Sequence, residues 1–248
     1  MAVFCRIQAI KIKCISEDTD VSEKKLCSMP AEELLAATAS KAPVPGGGGI
    51  AALTAASAAA LVEMVANLTI GKKGYEKVEP MMQEIRSQAE VLRLRYQAGI
   101  DEDARAFEGV IRAVRLPKDT PDRTAVVQQA FKDAAAIPFA LGKDIFVLLQ
   151  LSEQVVRYGN AWVITDGAIA AMNARAAMRS AFYSVRINLK SITDKEYVHC
   201  MTGAMADIEQ KAARIEETME KEDRSRSSLC SSCNCMTCGW HEERAELL

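Results

Sequence analysis

Aromatic residues are scarce in this chain: Phe, Trp and Tyr make up only 5 % of its 248 residues, whereas alanine is abundant. Ala, Leu, Glu, Lys, Arg and Met dominate the composition, and these residues favour helices. No charge of one sign prevails either, because 31 basic residues stand against 33 acidic ones. Without a basic excess we expect no nucleic-acid partner, and without an acidic excess we expect no acidic tail.

Several signatures of catalysis and targeting are missing too. The chain has no Gly-x-Ser-x-Gly elbow, no dinucleotide fingerprint and no phosphate loop. Its two histidines exclude a catalytic metal centre that needs several imidazoles. Residues 50–70 approach membrane-spanning length but contain Glu63 and Asn67, so we expect a buried helix and no membrane contact. The N-terminus lacks the continuous apolar run of a signal peptide, which favours a cytoplasmic protein with reduced thiols.

The sequence divides into three segments. In residues 1–26, an N-terminal extension, Ile10 to Cys14 alternate apolar residues with lysines, which is the pattern of a short strand. Residues 27–224 carry helical periodicity, and residues 225–248 form a Cys-rich tail. The predicted fold is therefore all-α: a single-domain bundle of about six to eight helices with a short appendage and a tail.

Glycine, proline and capping residues predict where the helices begin and end. Residues 76–115 are read as one or two long helices with a break near Gly99. Pro138 is expected to start or kink the next helix. Thr165 or Asp166 can cap the helix after that, which should run to about Tyr183.

Four consecutive glycines precede the long Ala-rich helix, and they follow two prolines: Gly46, Gly47, Gly48 and Gly49. Their bare backbone amides, together with the partial positive charge of a helix start, can bind an anion such as a carboxylate or a phosphate. A flexible helix connector is the alternative interpretation, because glycine runs are common in turns.

Acidic residues cluster in the stretch Asp101-Glu-Asp103. On a helix, Asp101 and Asp103 lie about 200° apart, whereas Asp103 and Phe107 share a face. A carboxylate beside an aromatic ring is partly desolvated, so we expect a raised pKa at Asp103 and a role as general acid or base. A solvated cluster of charges is the alternative.

Other polar residues lie at predicted helix ends. Lys72 and Lys73 can meet an anion or simply the helix dipole. Asp166 is most simply a helix cap. Asn188 can hydrogen-bond a polar heterocycle, or it can satisfy backbone groups at a helix end.

The tail concentrates thiols and one imidazole near the C-terminus. Thiolates at such spacings ligate zinc or an iron–sulfur cluster, although the two Cys-x-x-Cys pairs are closer together than in an ordinary zinc ribbon. A metal-binding tail and a variable tail without a ligand therefore both stay open. The candidate metal ligands are Cys230, Cys233, Cys235, Cys238 and His241.

Taken in order, these stretches resemble one protein family. The order is Pro-x-Pro-Gly-Gly-Gly-Gly, an Ala-rich helix, Met-Val-Ala-Asn-Leu-Thr-Ile-Gly-Lys-Lys, Asp-Glu-Asp-Ala-x-Ala-Phe and Leu-Pro-Lys-Asp-Thr. Over about residues 28–222 the chain is similar to the formiminotransferase-cyclodeaminase C-terminal domain family, which includes single-domain methenyltetrahydrofolate cyclohydrolases. Asn160, Asp166 and the stretch Val-Arg-Ile-Asn-Leu around Asn188 fit the later part of the pattern.

The resemblance implies an all-helical homodimer that acts on a tetrahydrofolate one-carbon substrate and requires no cofactor for catalysis. It makes Asp103 the first candidate for proton transfer and Asp101 the second. The glycine amides would hold substrate oxygens or a glutamate carboxylate, and Lys72 and Lys73 would meet a polyglutamate tail. The remaining substrate contacts, those toward the pterin ring included, would come from Phe107, Asn160, Asp166 and Asn188.

The first expectation is a methenyltetrahydrofolate cyclohydrolase, because residues 68–73 resemble the stand-alone cyclohydrolases and no formiminotransferase domain accompanies them. The alternative is a formiminotetrahydrofolate cyclodeaminase, which closes 5-formiminotetrahydrofolate to the same methenyl compound and releases ammonia. A third interpretation is a non-catalytic folate- or metal-binding protein. It is suggested by the tail and by Trp162, which stands where the family pattern has a small polar residue.

Overall fold

The structure, a computed structural model, describes residues 25–231, and within that range it contains six α-helices and no strand. Two 3-10 turns, Leu26–Ser28 and Ala161–Val163, precede the first and fifth helices. The predicted all-α bundle is therefore confirmed, whereas the predicted strand near Ile10 lies outside the described residues. The helices are α1 (Ala31–Thr38), α2 (Gly47–Asn67), α3 (Glu79–Val114), α4 (Arg123–Tyr158), α5 (Ile164–Leu189) and α6 (Lys195–Ser231).

The central element of the bundle is α2. Ala52, Ala55, Ala58 and Ala59 on this helix are completely buried, and their small side chains let neighbouring helices approach closely. α2 packs against α3, α4 and α5, while α6 covers α4 and α5. By length and hydropathy alone, α2 and α4 could each cross a membrane, but core helices of soluble proteins pass the same test. The predicted burial of residues 50–70 is confirmed by the position of α2 inside the bundle.

Two predicted interruptions do not occur, for reasons of packing. α3 is unbroken at Gly99, where an added Cβ would lie 3.5 Å from the Cβ of Ala52. Gly99 thus lies where α3 packs against α2 and does not end a helix, although a Cβ there would make only ordinary van der Waals contact. Pro138 lies buried inside a continuous α4, so the predicted helix start there is wrong. One turn later, Gly142 leaves room for the Phe182 ring, which an added Cβ would overlap.

The predicted limits of α5 are also wrong. Its first residue is Ile164 and no side chain caps it, so Asp166 lies within the first turn and does not precede the helix. The capping side chain belongs instead to Asn160, whose Oδ1 accepts a hydrogen bond from the Trp162 N–H (3.1 Å) at the start of the preceding 3-10 turn. At the other end α5 continues past Tyr183 to Leu189.

α2 and α5 run antiparallel, and this arrangement decides where the candidate residues lie. The first residue of α2, Gly47, lines a cavity together with Tyr183 and Ile187 from the end of α5. Just beyond the other end of α2, the Thr69 hydroxyl oxygen accepts a hydrogen bond from the Asn160 N–H, which precedes α5. The candidate residues are therefore divided between two ends of the bundle.

Candidate active site

Asp103 lies at the start of α2. It projects from α3, is half-buried, and its carboxylate accepts a hydrogen bond from the Gly49 N–H. A side chain at the neighbouring position would displace the carboxylate, because a Cβ on Gly48 would overlap Asp103 Oδ1. The predicted anion at the glycine run is thus, at least in part, a carboxylate that the chain itself supplies.

Burial raises the pKa of Asp103 above its ordinary value of 3.8, and the Gly49 N–H opposes this shift only partly. The predicted direction of the shift is confirmed. Its cause is the packing of the carboxyl group against the start of α2, since the Phe107 ring one turn along α3 stays 39 % exposed. No basic side chain of the described residues forms a salt bridge with Asp103. A carboxyl group whose pKa is raised in this way is a candidate general acid or base.

Asp101 has a different set of contacts. Its Oδ1 accepts a hydrogen bond from the Leu26 N–H at 2.7 Å, which fixes the 3-10 turn before α1 onto α3. A further hydrogen bond to Asp101 raises the pKa of the Cys27 thiol. Asp101 therefore holds the N-terminal turn in place, on a different side of α3 from Asp103.

A cavity of about 450 Å³ opens beside the same end of α2. Its volume lies in the range of small-molecule sites. The sequence analysis did not predict the residues of α5 that line this cavity. An uncharged stripe at helical spacing along α5, from Ile169 to Ile187, was the signal that could have indicated them. Besides Gly47, the cavity is lined by Ile50, Thr54, Ser180, Tyr183 and Ile187.

Asn188 lies near this end as well, on the last turn of α5. Its side-chain Nδ2 donates to the carbonyl oxygens of Ala134 (3.0 Å) and Ser184 (2.9 Å). Asn188 therefore satisfies backbone groups, which is one of the two interpretations that the sequence left open. The side chain ties α5 to α4, and its carbonyl oxygen is the part left to meet a ligand.

The opposite end of α2 holds the second group of candidates. Asn160 is 5 % exposed, and its Nδ2 donates to the Leu68 carbonyl oxygen at 3.1 Å. Together with its contacts to Thr69 and Trp162, this bond joins the turn before α5 to the loop after α2. Both polar atoms of the Asn160 side chain therefore have partners in the chain.

Lys72 and Lys73 lie in the loop that Asn160 supports. Neither lysine forms a salt bridge with a described residue. The loop is anchored by the Tyr75 hydroxyl oxygen, which accepts a hydrogen bond from the Ala161 N–H at 3.0 Å. Asp166, one turn into α5, belongs to this end too. The two cations are thus presented on a well-anchored loop.

Within one chain these two groups cannot meet at a single small molecule. α2 has 21 residues, and at 1.5 Å per residue its ends are about 31 Å apart. The structure brings together the glycine run, Asp103 and the end of α5. It does not bring Lys72, Lys73, Asn160 or Asp166 to them.

Among the side chains that the structure describes, the last of which is that of residue 221, no three His, Cys, Asp or Glu groups are placed so as to hold a metal ion. Cys230 lies at the end of α6, and the other predicted tail ligands, Cys233, Cys235, Cys238 and His241, lie outside the described residues.

Comparison with known proteins adds independent information. A methenyltetrahydrofolate cyclohydrolase of Methylorubrum extorquens is 39 % identical over 197 residues, which is 76 % of this chain and 95 % of that protein. A formimidoyltransferase-cyclodeaminase of Sus scrofa is 30 % identical over 77 % of this chain, although the match spans only 36 % of that longer protein.

The fold has a counterpart among solved structures. The crystal structure of formiminotetrahydrofolate cyclodeaminase from Thermotoga maritima matches with a TM-score of 0.74 and 31 % identity, covering 79 % of this chain and 96 % of that one. The model of the formiminotransferase-cyclodeaminase family matches residues 30–207, which include Asp103, the glycine run and both ends of α2. On the combined weight of the family match, the relatives and the fold, the chain belongs to the formiminotransferase-cyclodeaminase family.

Proposed function

We propose that this protein is a methenyltetrahydrofolate cyclohydrolase, which interconverts 5,10-methenyltetrahydrofolate and 10-formyltetrahydrofolate with water. The observation that carries the proposal is Asp103: a half-buried carboxyl group with a raised pKa, held against Gly48 and Gly49 at the start of α2, whose first residue Gly47 lines the cavity. The cyclohydrolase of Methylorubrum extorquens supports this reaction over the alternative, because it is more similar in sequence than the cyclodeaminase relatives.

The chemistry requires addition of water to one carbon and three proton transfers, two of which involve Asp103. The methenyl carbon, bonded to N5 and N10, is electrophilic, and the Asp103 carboxylate takes a proton from the water that adds to it. Asp103 then returns that proton to N5 as the bond between this carbon and N5 breaks. The added oxygen loses its remaining proton to solvent and becomes the carbonyl oxygen of the formyl group on N10. One water is consumed and one proton is released.

The helix start supports these steps electrostatically. The amides of Gly47 and Gly48 lie in the first turn of α2, where backbone N–H groups have no partner within the helix. They can donate to the oxygen of the tetrahedral intermediate, or to a carboxylate of the substrate, in a region of partial positive charge. The Gly49 N–H meanwhile fixes the Asp103 carboxylate.

The test is the absorbance of 5,10-methenyltetrahydrofolate mixed with purified protein at neutral pH. We expect its loss to be faster than in buffer alone. If it is not, 5-formiminotetrahydrofolate is the next substrate, and the same absorbance should then rise as ammonia leaves. A flat trace with both substrates would favour the non-catalytic interpretation.

We further propose that the protein is a homodimer in which α2 and α5 form the interface. On each helix, one stripe of exposed and half-exposed positions recurs at helical spacing and carries no charge. Two helices that lie side by side over about 31 Å, the length of α2, and are spaced about 10 Å apart offer on the order of 600 Å² per subunit, near the roughly 800 Å² typical of stable interfaces. The α2/α5 face consists of Ile50, Thr54, Ser57, Leu61, Met64 and Leu68 on α2, and Ile169, Met172, Ala176, Ser180, Tyr183 and Ile187 on α5.

A two-fold axis through the middle of this face would bring the candidate residues at one end of α2 close to those at the other end of the partner's α2. The two α2 helices would then run antiparallel, so the Lys72–Lys73 loop of one subunit would face the Gly47 end of the other. Two lysines beside the cavity suit the acidic tail of a folate. The variant Ser57→Arg places a charge at the centre of the α2/α5 face and should give a monomer by light scattering. A wild-type monomer would refute the dimer.

The Cys-rich tail is proposed as a zinc or iron–sulfur site outside the catalytic machinery, on the spacing of its four cysteines and His241. Metal analysis of protein purified without oxygen should show zinc or iron that disappears when the chain is cut after Arg226. Metal at background level in the full chain would refute this site. A cytoplasmic location remains part of the proposal.

A further inference from the structure

Tyr183 is the one aromatic residue among those named for the α2/α5 face. It is 64 % exposed in the single chain. It lies in the wall of the cavity beside Gly47, at the end of α2 where Asp103 is held. An exposed aromatic ring in a cavity wall offers a flat surface to a ligand ring.

The orientation of Tyr183 is fixed by charged neighbours. The Arg186 guanidinium lies over the Tyr183 ring, with its central carbon 5.6 Å from the ring centroid. Arg186 is itself held by Glu209 of α6, at 2.7 Å between Nη2 and Oε2. The cation covers one face of the ring, and the other face is available for stacking.

Two of the four hydroxyl groups that line the cavity, those of Thr54 and Ser180, favour hydrogen-bond donors on a ligand, whereas the hydroxyls of Tyr183 and Ser184 can also donate. Thr54 donates its hydroxyl proton to the Ile50 carbonyl oxygen (2.9 Å), and Ser180 donates to that of Ala176 (2.9 Å). Each hydroxyl has one proton, so toward the cavity both oxygens can only accept. The matching ligand is a planar ring that carries several N–H groups.

We propose that Tyr183 is the surface on which the reduced pterin ring of the substrate stacks, with Thr54 and Ser180 accepting hydrogen bonds from its N–H groups. This inference rests on the proposed folate substrate. The pterin ring fits the cavity because it is flat and carries an exocyclic amine and ring N–H groups. It assigns the pterin to the end of the bundle opposite Asn160 and Asp166.

The experiment is calorimetric titration with two probes, 5-formyltetrahydrofolate and p-aminobenzoylglutamate, the second of which lacks the pterin. Tyr183→Ala should weaken the first about tenfold, the effect of losing one aromatic stack, and leave the second within about twofold. Tyr183→Phe keeps the ring and should bind both as the wild type does. Thr54→Val and Ser180→Ala should each weaken the first about threefold.

A matched control exists at Tyr158, which is also exposed and lies beneath an arginine, with Arg157 at 6.0 Å, but lies outside this cavity. Tyr158→Ala should bind both probes normally. An unchanged affinity of Tyr183→Ala for 5-formyltetrahydrofolate, an equal loss for both probes, or a change to monomer would each overturn the inference. Wild-type protein that binds 5-formyltetrahydrofolate but turns over neither substrate would refute only the proposed function. Wild-type protein that binds neither probe would refute both.

Discussion

The two ends of α2 both bury polar side chains, but these side chains have different kinds of partner. At the Gly47 end, a carboxyl group is buried without a salt bridge from the described residues, and its pKa is raised. At the Asn67 end, the buried polar side chains Thr69 and Asn160 are hydrogen-bonded to partners within the chain. Buried polar groups normally find partners, because an unpaired one costs about 1–3 kcal/mol. Asp103 has such a partner in the Gly49 N–H but no countercharge from the described residues, and burying an ionised group in this way is costly. The Gly47 end is therefore the better candidate for chemistry, whereas the other end builds a stable platform for two lysines.

The largest effect should come from Asp103→Asn, which removes the proton acceptor but keeps the size of the side chain. Turnover of 5,10-methenyltetrahydrofolate should fall about 10²–10⁴-fold, the usual contribution of a general acid or base. Stability should not fall. Because burial raises the pKa of Asp103, its contribution to folding is greatest below pH 3.8 and declines as the pH rises through the raised pKa. A neutral Asn avoids that cost. Thermal unfolding and initial rates, measured on one preparation, check both parts.

Gly48→Ala should have the next largest effect, because its Cβ would occupy the place of Asp103 Oδ1. We expect the displaced carboxylate to cost about tenfold or more in kcat, in line with the sensitivity of catalysis to small misplacements. Gly109→Ala is the matched control: it lies on α3, and nothing is within 4 Å of the added Cβ. If both alanine variants turn over substrate as the wild type does, the contact between Gly48 and Asp103 has no part in catalysis.

The pH profile sharpens the comparison without any substitution. Asp103 must be ionised to accept a proton, so the rate should decline on the acidic side through a pKa above the ordinary 3.8. Below that pKa the rate should fall about tenfold per pH unit. Initial rates across buffers of constant ionic strength give the midpoint. A midpoint at or below 3.8 would contradict the burial of the active carboxylate.

Asn160→Ala probes the opposite end and should act on stability. It removes the bonds to the Leu68 carbonyl oxygen and the Trp162 N–H. We expect a loss of about 1–3 kcal/mol in the free energy of unfolding. Denaturant titration measures it, and the rate at saturating substrate should change little where the variant is still folded. A loss of turnover without a loss of stability would show instead that Asn160 contacts the substrate.

The smallest effect is expected from the double variant Lys72→Ala/Lys73→Ala. Removing two exposed cations should raise KM for a polyglutamylated substrate a few-fold, and only slightly for the monoglutamate. The difference should shrink as salt is added, because salt screens exposed charges. Equal KM values for both substrates in wild type and variant would leave these lysines without a role in binding.

Much of the fold could be predicted from signals that are local in the sequence. Glycines, prolines and apolar spacing placed the helices, because these features act over a few residues. The helix break predicted near Gly99 and the helix start predicted at Pro138 were wrong, because the effect of these residues depends on what packs against them. Gly99 faces Ala52 on another helix, and no pattern within α3 reveals that neighbour.

The candidate site was predictable only in part, for a related reason. The raised pKa of Asp103 was anticipated, but its contact with Gly48 depends on how α2 and α3 pack. The role of Tyr183 needed the antiparallel pairing of α2 and α5, and the partner of Asn160, Thr69, is 91 residues away in sequence. Contacts of this kind arise from tertiary structure alone.

The contact between Gly48 and Asp103 also has an evolutionary meaning. A side chain at position 48 and a carboxylate at position 103 exclude each other in space. Natural selection should therefore hold the two positions together for as long as the carboxylate is needed. In a lineage that no longer needs the reaction, Gly48 should accept other residues. The residue at position 48 therefore indicates whether a related protein still depends on the carboxylate.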